Sequence, residues 1–158
     1  MNAKMPELKT CFEAEGFAEV CTLLSSGNIV FNARSSSLAL LERRAEAAMR
    51  AKLGRSFDTI IRSTKFLQEF VESDPFAEFD LEPTAKRVVT FLRSAAEPKV
   101  KLPIQRDGAS ILKFTGSEVL SAYVPGPKGP VFMGLIERTF GKNVTTRTLE
   151  TVRKCARA

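Results

Sequence analysis

The sequence contains no histidine among its 158 residues. Imidazole activates the nucleophile in Ser-His-Asp and Cys-His sites and is the commonest metal ligand. Its absence excludes both kinds of catalytic site and every metal site that requires a histidine. A Cys-x-x-Cys pair is also lacking, so structural zinc is not expected. We therefore predict no metal and no cofactor, and we assign no catalytic residue.

Cysteine is scarce as well, with only Cys11, Cys21 and Cys155. An odd number at wide spacing does not form a disulfide framework. Cys11 lies in a helical apolar pattern and Cys21 in a strand pattern. Both are therefore predicted to be small core residues.

Long apolar runs are absent too. No stretch approaches the roughly 20 residues that a membrane span requires. The first seven residues, Met-Asn-Ala-Lys-Met-Pro-Glu, contain no signal-peptide hydrophobic segment. These features predict a soluble cytoplasmic protein that has no membrane partner.

The net charge of +6 is distributed unevenly along the chain. Residues 1–80 carry 10 Lys/Arg and 12 Asp/Glu, whereas residues 81–158 carry 14 and 6, which gives balances of −2 and +8. This asymmetry predicts a basic face on the second half. A solvated basic surface is the simpler explanation, and an anionic ligand or nucleic acid is the alternative. The candidate binding residues in this half are Tyr123, Lys128, Arg138, Lys142, Arg147 and Arg153.

A hairpin signal stands near the start of the chain. Gly27-Asn28 lies between two β-prone runs, and both residue types reach positive φ at low cost, so a tight turn is predicted there. Ser26 and Asn28 are also candidate binding residues, although the turn alone accounts for Gly27 and Asn28.

The remaining elements follow from periodicity and capping signals. Helices are predicted over about 5–15, 37–53, 64–72, 131–140 and from 148 to the end. Strands are predicted over 20–25, 29–32, 57–62, 87–93, 109–114 and 118–124.

The element order predicts an α+β fold. The first half reads helix, strand, strand, helix, strand, which is the ferredoxin-like βαββαβ unit without its first strand. Asp74-Pro75-Phe76 breaks the pattern. We therefore expect a ferredoxin-like N-terminal lobe at 1–74, followed at 75–158 by a small antiparallel sheet with C-terminal helices.

Several short segments, among them Gly16-Phe17, the hairpin 26–31 and Asp74-Pro75-Phe76, occur in an order that resembles the bacterial family called domain of unknown function 1697. The resemblance covers essentially the whole chain and implies no activity, because none is assigned to that family. Its Gly-rich opening strand is absent here, and Thr148-Leu149 replaces an Asn-Trp pair. The matching segments are Met5-Pro6-Glu7-Leu8, Gly16-Phe17, the hairpin 26–31, Arg62-Ser63, Asp74-Pro75-Phe76 and 136–152.

The absent first strand leads to a further expectation. A ferredoxin-like sheet without that strand has a gap with unpaired backbone groups. We expect either that the natural domain begins upstream of Met1, or that the gap is filled by strand exchange in a dimer or by a strand of a partner.

The leading functional interpretation is a non-enzymatic module that binds a small anionic ligand or a protein partner through its basic second half. One alternative is an enzyme of unknown class that acts on a phosphorylated or acidic substrate. The other is nucleic-acid binding, which is less favoured because few aromatic residues accompany the basic ones.

Overall fold

A computed structural model of the chain describes residues 4–24, 27–55, 57–93, 101–125 and 131–158. These residues form helices and antiparallel strands, which confirms the α+β class. The helices are α1 (Met5–Ala14), α2 (Leu38–Leu53), α3 (Thr64–Glu72), α4 (Val131–Phe140) and α5 (Leu149–Arg157). The strands are β1 (Ala18–Leu23), β2 (Asn28–Asn32), β3 (Lys86–Leu92), β4 (Ile104–Arg106), β5 (Ala109–Phe114), β6 (Glu118–Tyr123) and β7 (Val144–Thr148).

Backbone contacts divide the chain into two compact units. The first comprises Met1–Leu67 and Lys154–Ala158, and the second comprises Gln68–Arg153. The division falls inside α3. The lobe ranges 1–74 and 75–158 stay a prediction.

In the first unit, α1 and α2 begin and end where their capping residues predict. Pro6 occupies the first turn of α1, and the Ser37 hydroxyl accepts a 3.2 Å hydrogen bond from the Leu40 N–H at the start of α2. Gly54, with φ of 75°, ends α2 in the left-handed conformation. The buried residues of this core are Leu8, Cys11, Phe12, Phe17, Val20, Leu41, Ala45 and Met49.

The hairpin formed by β1 and β2 confirms the predicted strand pair, and the positive φ expected at Gly27-Asn28 is found at Gly27. Leu23 pairs with Asn28, so the connection covers 24–27. Gly27 has φ of 91°, whereas Asn28 lies in β2 and its Nδ2 donates to the Leu23 carbonyl at 3.0 Å. Gly27 therefore adopts the positive φ, and the Asn28 amide bonds across the hairpin.

Cys21 is exposed on β1, so its predicted core position is wrong. Side chains alternate across a strand, and Val20 is the one that packs into the core. Cys21 therefore projects from the opposite face.

The predicted strand at 57–62 does not form in the structure. The Thr59 N–H donates to Glu46 Oε2 and the Ile61 N–H to Glu42 Oε2, each at 2.9 Å. Both carboxylates belong to α2, so helix side chains bond the N–H groups that a neighbouring strand would have bonded. The two strands described in this unit do not establish a ferredoxin-like arrangement, which stays a prediction.

The second unit contains a five-stranded antiparallel sheet in the order β4-β5-β6-β3-β7. The short strands β4 and β7 are not among the strands predicted from the sequence. Asp107 and Gly108, with φ of 49° and 84°, connect β4 to β5. Asp-Gly is a strong two-residue hairpin signal, because both positions require positive φ.

Helix α4 packs on one face of this sheet. Val88 and Leu92 of β3 lie on that face, because residues two apart in a strand point the same way. The buried residues of this core are Val88, Leu92, Ala109, Ile111, Val119, Phe132, Leu135, Ile136 and Phe140. Within the described ranges, no helix is both long and apolar enough to cross a membrane.

Candidate anion-binding site

Four side chains form a single row across the second-unit sheet, on the face that α4 covers. Lys86 of β3 pairs with Tyr123 of β6, Tyr123 pairs with Ala109 of β5, and Ala109 pairs with Arg106 of β4. Directly opposed residues of antiparallel strands project from the same face. We call Lys86, Tyr123, Ala109 and Arg106 the basic row.

The row combines exposed cations with a fixed aromatic ring. Lys86 and Arg106 are exposed, whereas Tyr123 is half-buried and Ala109 is buried. The Tyr123 ring stacks on Phe132, with centroids 5.2 Å apart and an interplanar angle of 18°. Since Phe132 is buried in the first turn of α4, the ring is held by the core and its hydroxyl has a defined position.

The polar groups of the row have no ion-pair or hydrogen-bond partner among the described residues. These groups are the Lys86 ammonium, the Arg106 guanidinium and the Tyr123 hydroxyl. Asp107, in the turn beside Arg106, is an acidic neighbour in the chain and is exposed. The row therefore presents two cations and one hydroxyl, with the Asp107 carboxylate next to Arg106 in the chain.

Two of the candidate residues predicted from the sequence, Ser26 and Lys128, lie outside the described residues. Asn28 belongs to the first unit, where its amide bonds the Leu23 carbonyl across the hairpin. This hydrogen bond gives Asn28 a structural role in the hairpin.

Arg138 and Lys142 are exposed at the far end of α4 from Tyr123. Arg138 lies in the last turn, and Lys142 follows the helix. A ten-residue helix is about 15 Å long. Because Tyr123 contacts the first turn, these two cations do not belong to the basic row.

Arg147 and Arg153 lie on two further elements, β7 and α5. Arg147 pairs with Val89 and so projects from the sheet face opposite the row, where its Nη1 donates to the Thr146 carbonyl at 2.9 Å. Arg153 on α5 pairs with Glu150 at 3.5 Å. The five described candidates of the second half thus do not converge on one site.

Lys86 and Arg106 are not among the candidate residues predicted from the sequence. Lys86 immediately precedes the predicted strand 87–93 and has no distinguishing sequence signal. Arg106 stands directly before Asp107-Gly108, and recognising that hairpin would have placed it opposite Ala109. The one remaining step is the pairing of β5 with β6, which correspond to the consecutive predicted strands 109–114 and 118–124.

The buried carboxylates of the molecule have structural partners. Glu42 accepts the Ile61 N–H, and Glu118 accepts a 3.1 Å hydrogen bond from the Thr115 hydroxyl. In the described part of the chain, no group of three or more Cys, Asp or Glu is arranged to bind a metal ion. Burial raises the pKa of the Cys11 thiol, which is a core group of the first unit.

Comparison with known proteins gives a family and a fold. A family model described as "Protein of unknown function (DUF1697)" matches residues 1–119. The conserved bacterial protein SP0830 from Streptococcus pneumoniae has a similar structure, with a TM-score of 0.60 and 15% identity over 99% of this chain and 88% of that chain. No curated protein matches the sequence.

Proposed function

Since the chain belongs to the domain of unknown function 1697 family, whose description assigns no activity, we propose from its own geometry that it binds a small anion at the basic row. The ligand is a phosphorylated or carboxylated small molecule, and no covalent step is involved. The observation that carries the proposal is the alignment of Lys86, Tyr123 and Arg106 in one register across four strands.

The chemistry of the row suits a phosphate or carboxylate. A guanidinium offers a planar fork of donors to these groups, an ammonium supplies a compact charge, and a phenol hydroxyl adds a neutral donor. Because the Tyr123 ring is stacked on a core residue, the phenol needs little ordering when a ligand binds, and the ordering cost falls on the Lys86 and Arg106 side chains.

The spacing of the row sets the size of the ligand. Three strand spacings of about 4.8 Å put the Cα atoms of Lys86 and Arg106 roughly 14 Å apart. Two long side chains reaching inwards across this distance favour a ligand with two anionic groups, or with one anionic group and a body over Tyr123. Ala109, between Tyr123 and Arg106, is buried in the core, so a ligand contacts the two cations and the phenol rather than this residue.

Structural use of the buried carboxylates supports binding rather than catalysis. Glu42 accepts a hydrogen bond from the Ile61 N–H and Glu118 accepts one from the Thr115 hydroxyl, so both carboxylates hold parts of the fold together. Acid–base catalysis instead requires a positioned group that exchanges protons with the substrate. The separation of the basic residues supports a small ligand over a nucleic acid, which needs a continuous basic surface.

Calorimetric titration with pyrophosphate and citrate tests the proposal. Lys86→Glu/Arg106→Glu removes both row cations, and Arg138→Glu/Lys142→Glu changes net charge equally at the other end of α4. A charge-assisted hydrogen bond contributes about 1.5–3 kcal/mol, and about 1.4 kcal/mol is tenfold in affinity. We expect affinity to fall roughly tenfold or more for each row cation and to change little in the matched control.

Equal losses in the two double variants would overturn the proposal, because they would indicate nonspecific charge attraction. Tighter binding of a single-stranded oligonucleotide, with a steep salt dependence, would favour nucleic-acid binding instead. Conversion of pyrophosphate to phosphate, followed by phosphorus NMR, would favour an enzyme.

A further inference from the structure

The four sheet edges in the described residues differ in how they are protected. An unprotected edge strand presents a row of backbone groups to any other strand, and proteins block such edges with bulges, charges or very short strands. β4 has three residues and ends in Arg106. On β7, the Arg147 guanidinium bonds the carbonyl of the adjacent Thr146.

The edge at β1 is protected in another way. The pairing register shifts between Ala18 and Cys21, and Glu19 within this bulge has φ of 51°. The Glu19 carboxylate accepts a hydrogen bond from the Asn32 amide. A bulge bearing a charged residue discourages the addition of another strand here.

β2 has none of these devices. Its sequence, Asn-Ile-Val-Phe-Asn, contains no charge and no proline, and no strand among the described residues lies on its outer side. Ile29 and Phe31 pack against the first-unit core but stay half-buried. This edge is therefore both unblocked and flanked by apolar surface.

We propose that β2 is the edge through which two copies of this chain pair, with an antiparallel contact centred on Val30. The strand is nearly symmetric about this residue. Antiparallel pairing places Asn28 opposite Asn32 of the second copy and Ile29 opposite Phe31 of the second copy. The same five residues thus supply both sides of a twofold contact, as an isologous dimer requires.

The pairing extends the hairpin into a continuous four-stranded sheet of β1-β2-β2-β1. Alternate residues of β2 direct their backbone groups away from β1, and the second copy satisfies them. On the core side, each Ile29–Phe31 contact joins a β-branched to an aromatic side chain, a favourable cross-strand pair. A five-residue contact is smaller than a standard interface, so the dimer dissociates readily on dilution.

Sedimentation equilibrium of the full chain over a concentration series tests the pairing. The average mass should rise from 17.4 kDa towards twice that value. Val30→Lys puts two like charges at the twofold axis and should abolish the rise. Cys21→Lys is the matched control, because Cys21 pairs with Val30 within the hairpin but lies one strand away from the contact. It should leave association unchanged.

Crosslinking tests the register. Opposed residues of antiparallel strands have Cα atoms about 4.5–5.5 Å apart, which is within disulfide range. Val30→Cys in a Cys21→Ser/Cys155→Ser background should form a covalent dimer on mild oxidation, whereas exposed Ser35→Cys in the same background should not.

Three results would each overturn the proposal. One is a wild-type mass that stays at 17.4 kDa up to the solubility limit. Another is association that survives Val30→Lys in a variant shown by circular dichroism to be folded. The third is crosslinking that is no faster at Val30→Cys than at Ser35→Cys.

Discussion

In the second unit, β-rich segments join one sheet, whereas in the first unit the β-rich segment 57–62 lies against a helix. Val88, Val89 and Thr90 find partners in both β6 and β7. Thr59 and Ile61 instead donate their N–H groups to the α2 carboxylates. A β-prone sequence thus becomes a strand only where a neighbouring backbone is present to pair with it.

The two units also differ in their surface chemistry. The second unit aligns cations and a tyrosine in register on a sheet, and its edge strands β4 and β7 carry arginines. The first unit has an uncharged edge at β2. This difference motivates the two proposals, a small anion for the second unit and a second copy of the chain for the first.

Removing the Glu42 carboxylate tests whether α2 side chains stabilise the segment 57–62. Glu42→Ala leaves the Ile61 N–H without its acceptor, and an unsatisfied buried group costs about 1–3 kcal/mol. We expect the free energy of unfolding to fall by that amount in urea titration, and the Ile61 amide to lose hydrogen-exchange protection.

Exposed Glu13→Ala on α1 is the control and should change stability by less than about 0.5 kcal/mol. Unchanged protection of Ile61 in Glu42→Ala would contradict the role given to this carboxylate.

Glycine substitutions sharpen the contrast between a turn and a helix within the second unit. Gly108 has φ of 84°, and a Cβ there would stand 3.4 Å from the Val124 carbonyl oxygen. Gly108→Ala should therefore cost roughly 1–2 kcal/mol. Gly134, in α4, has open space around it, so Gly134→Ala should instead stabilise by about 0.5–1 kcal/mol. Thermal unfolding measures both, and shifts of the same sign would refute the assignment of the turn.

A smaller effect is expected from Asp107 beside the basic row. Asp107→Asn removes the carboxylate but keeps a residue that tolerates positive φ. An exposed charge interaction contributes about 0.2–1 kcal/mol, so pyrophosphate affinity should rise by roughly 1.4- to fivefold. Weaker binding in this calorimetric titration would imply that the carboxylate takes part in the site.

Local signals in the sequence predicted much of the fold. Ser37 caps the start of α2 and Gly54 ends it, as their residue types indicate. Gly116, with φ of 108°, lies in the turn between β5 and β6, where glycine is favoured. Short β7 was missed because Val144–Thr148 carries several threonines and no apolar alternation. Its pairing with β3 is a contact between residues far apart in sequence.

The candidate site was predicted less well, for a physical reason. Charge counting identified the basic second half but not the arrangement of its cations. Arg138 and Tyr123 are 15 positions apart and lie at opposite ends of α4, whereas Lys86 and Tyr123 are 37 positions apart and paired. The register of strands that pair in the sheet but are far apart in sequence determines which residues lie opposite one another. No local sequence pattern specifies this register.

The most direct test of the anion site uses the aromatic composition. The chain has one tyrosine and no tryptophan, so intrinsic fluorescence excited in the tyrosine band, or the signal of ring-labelled tyrosine in NMR, reports on Tyr123 alone. Titration with pyrophosphate should move this single signal along a saturable curve, with the same dissociation constant as calorimetry gives. A Tyr123 signal that stays constant while calorimetry registers binding would contradict the account and place the anion elsewhere.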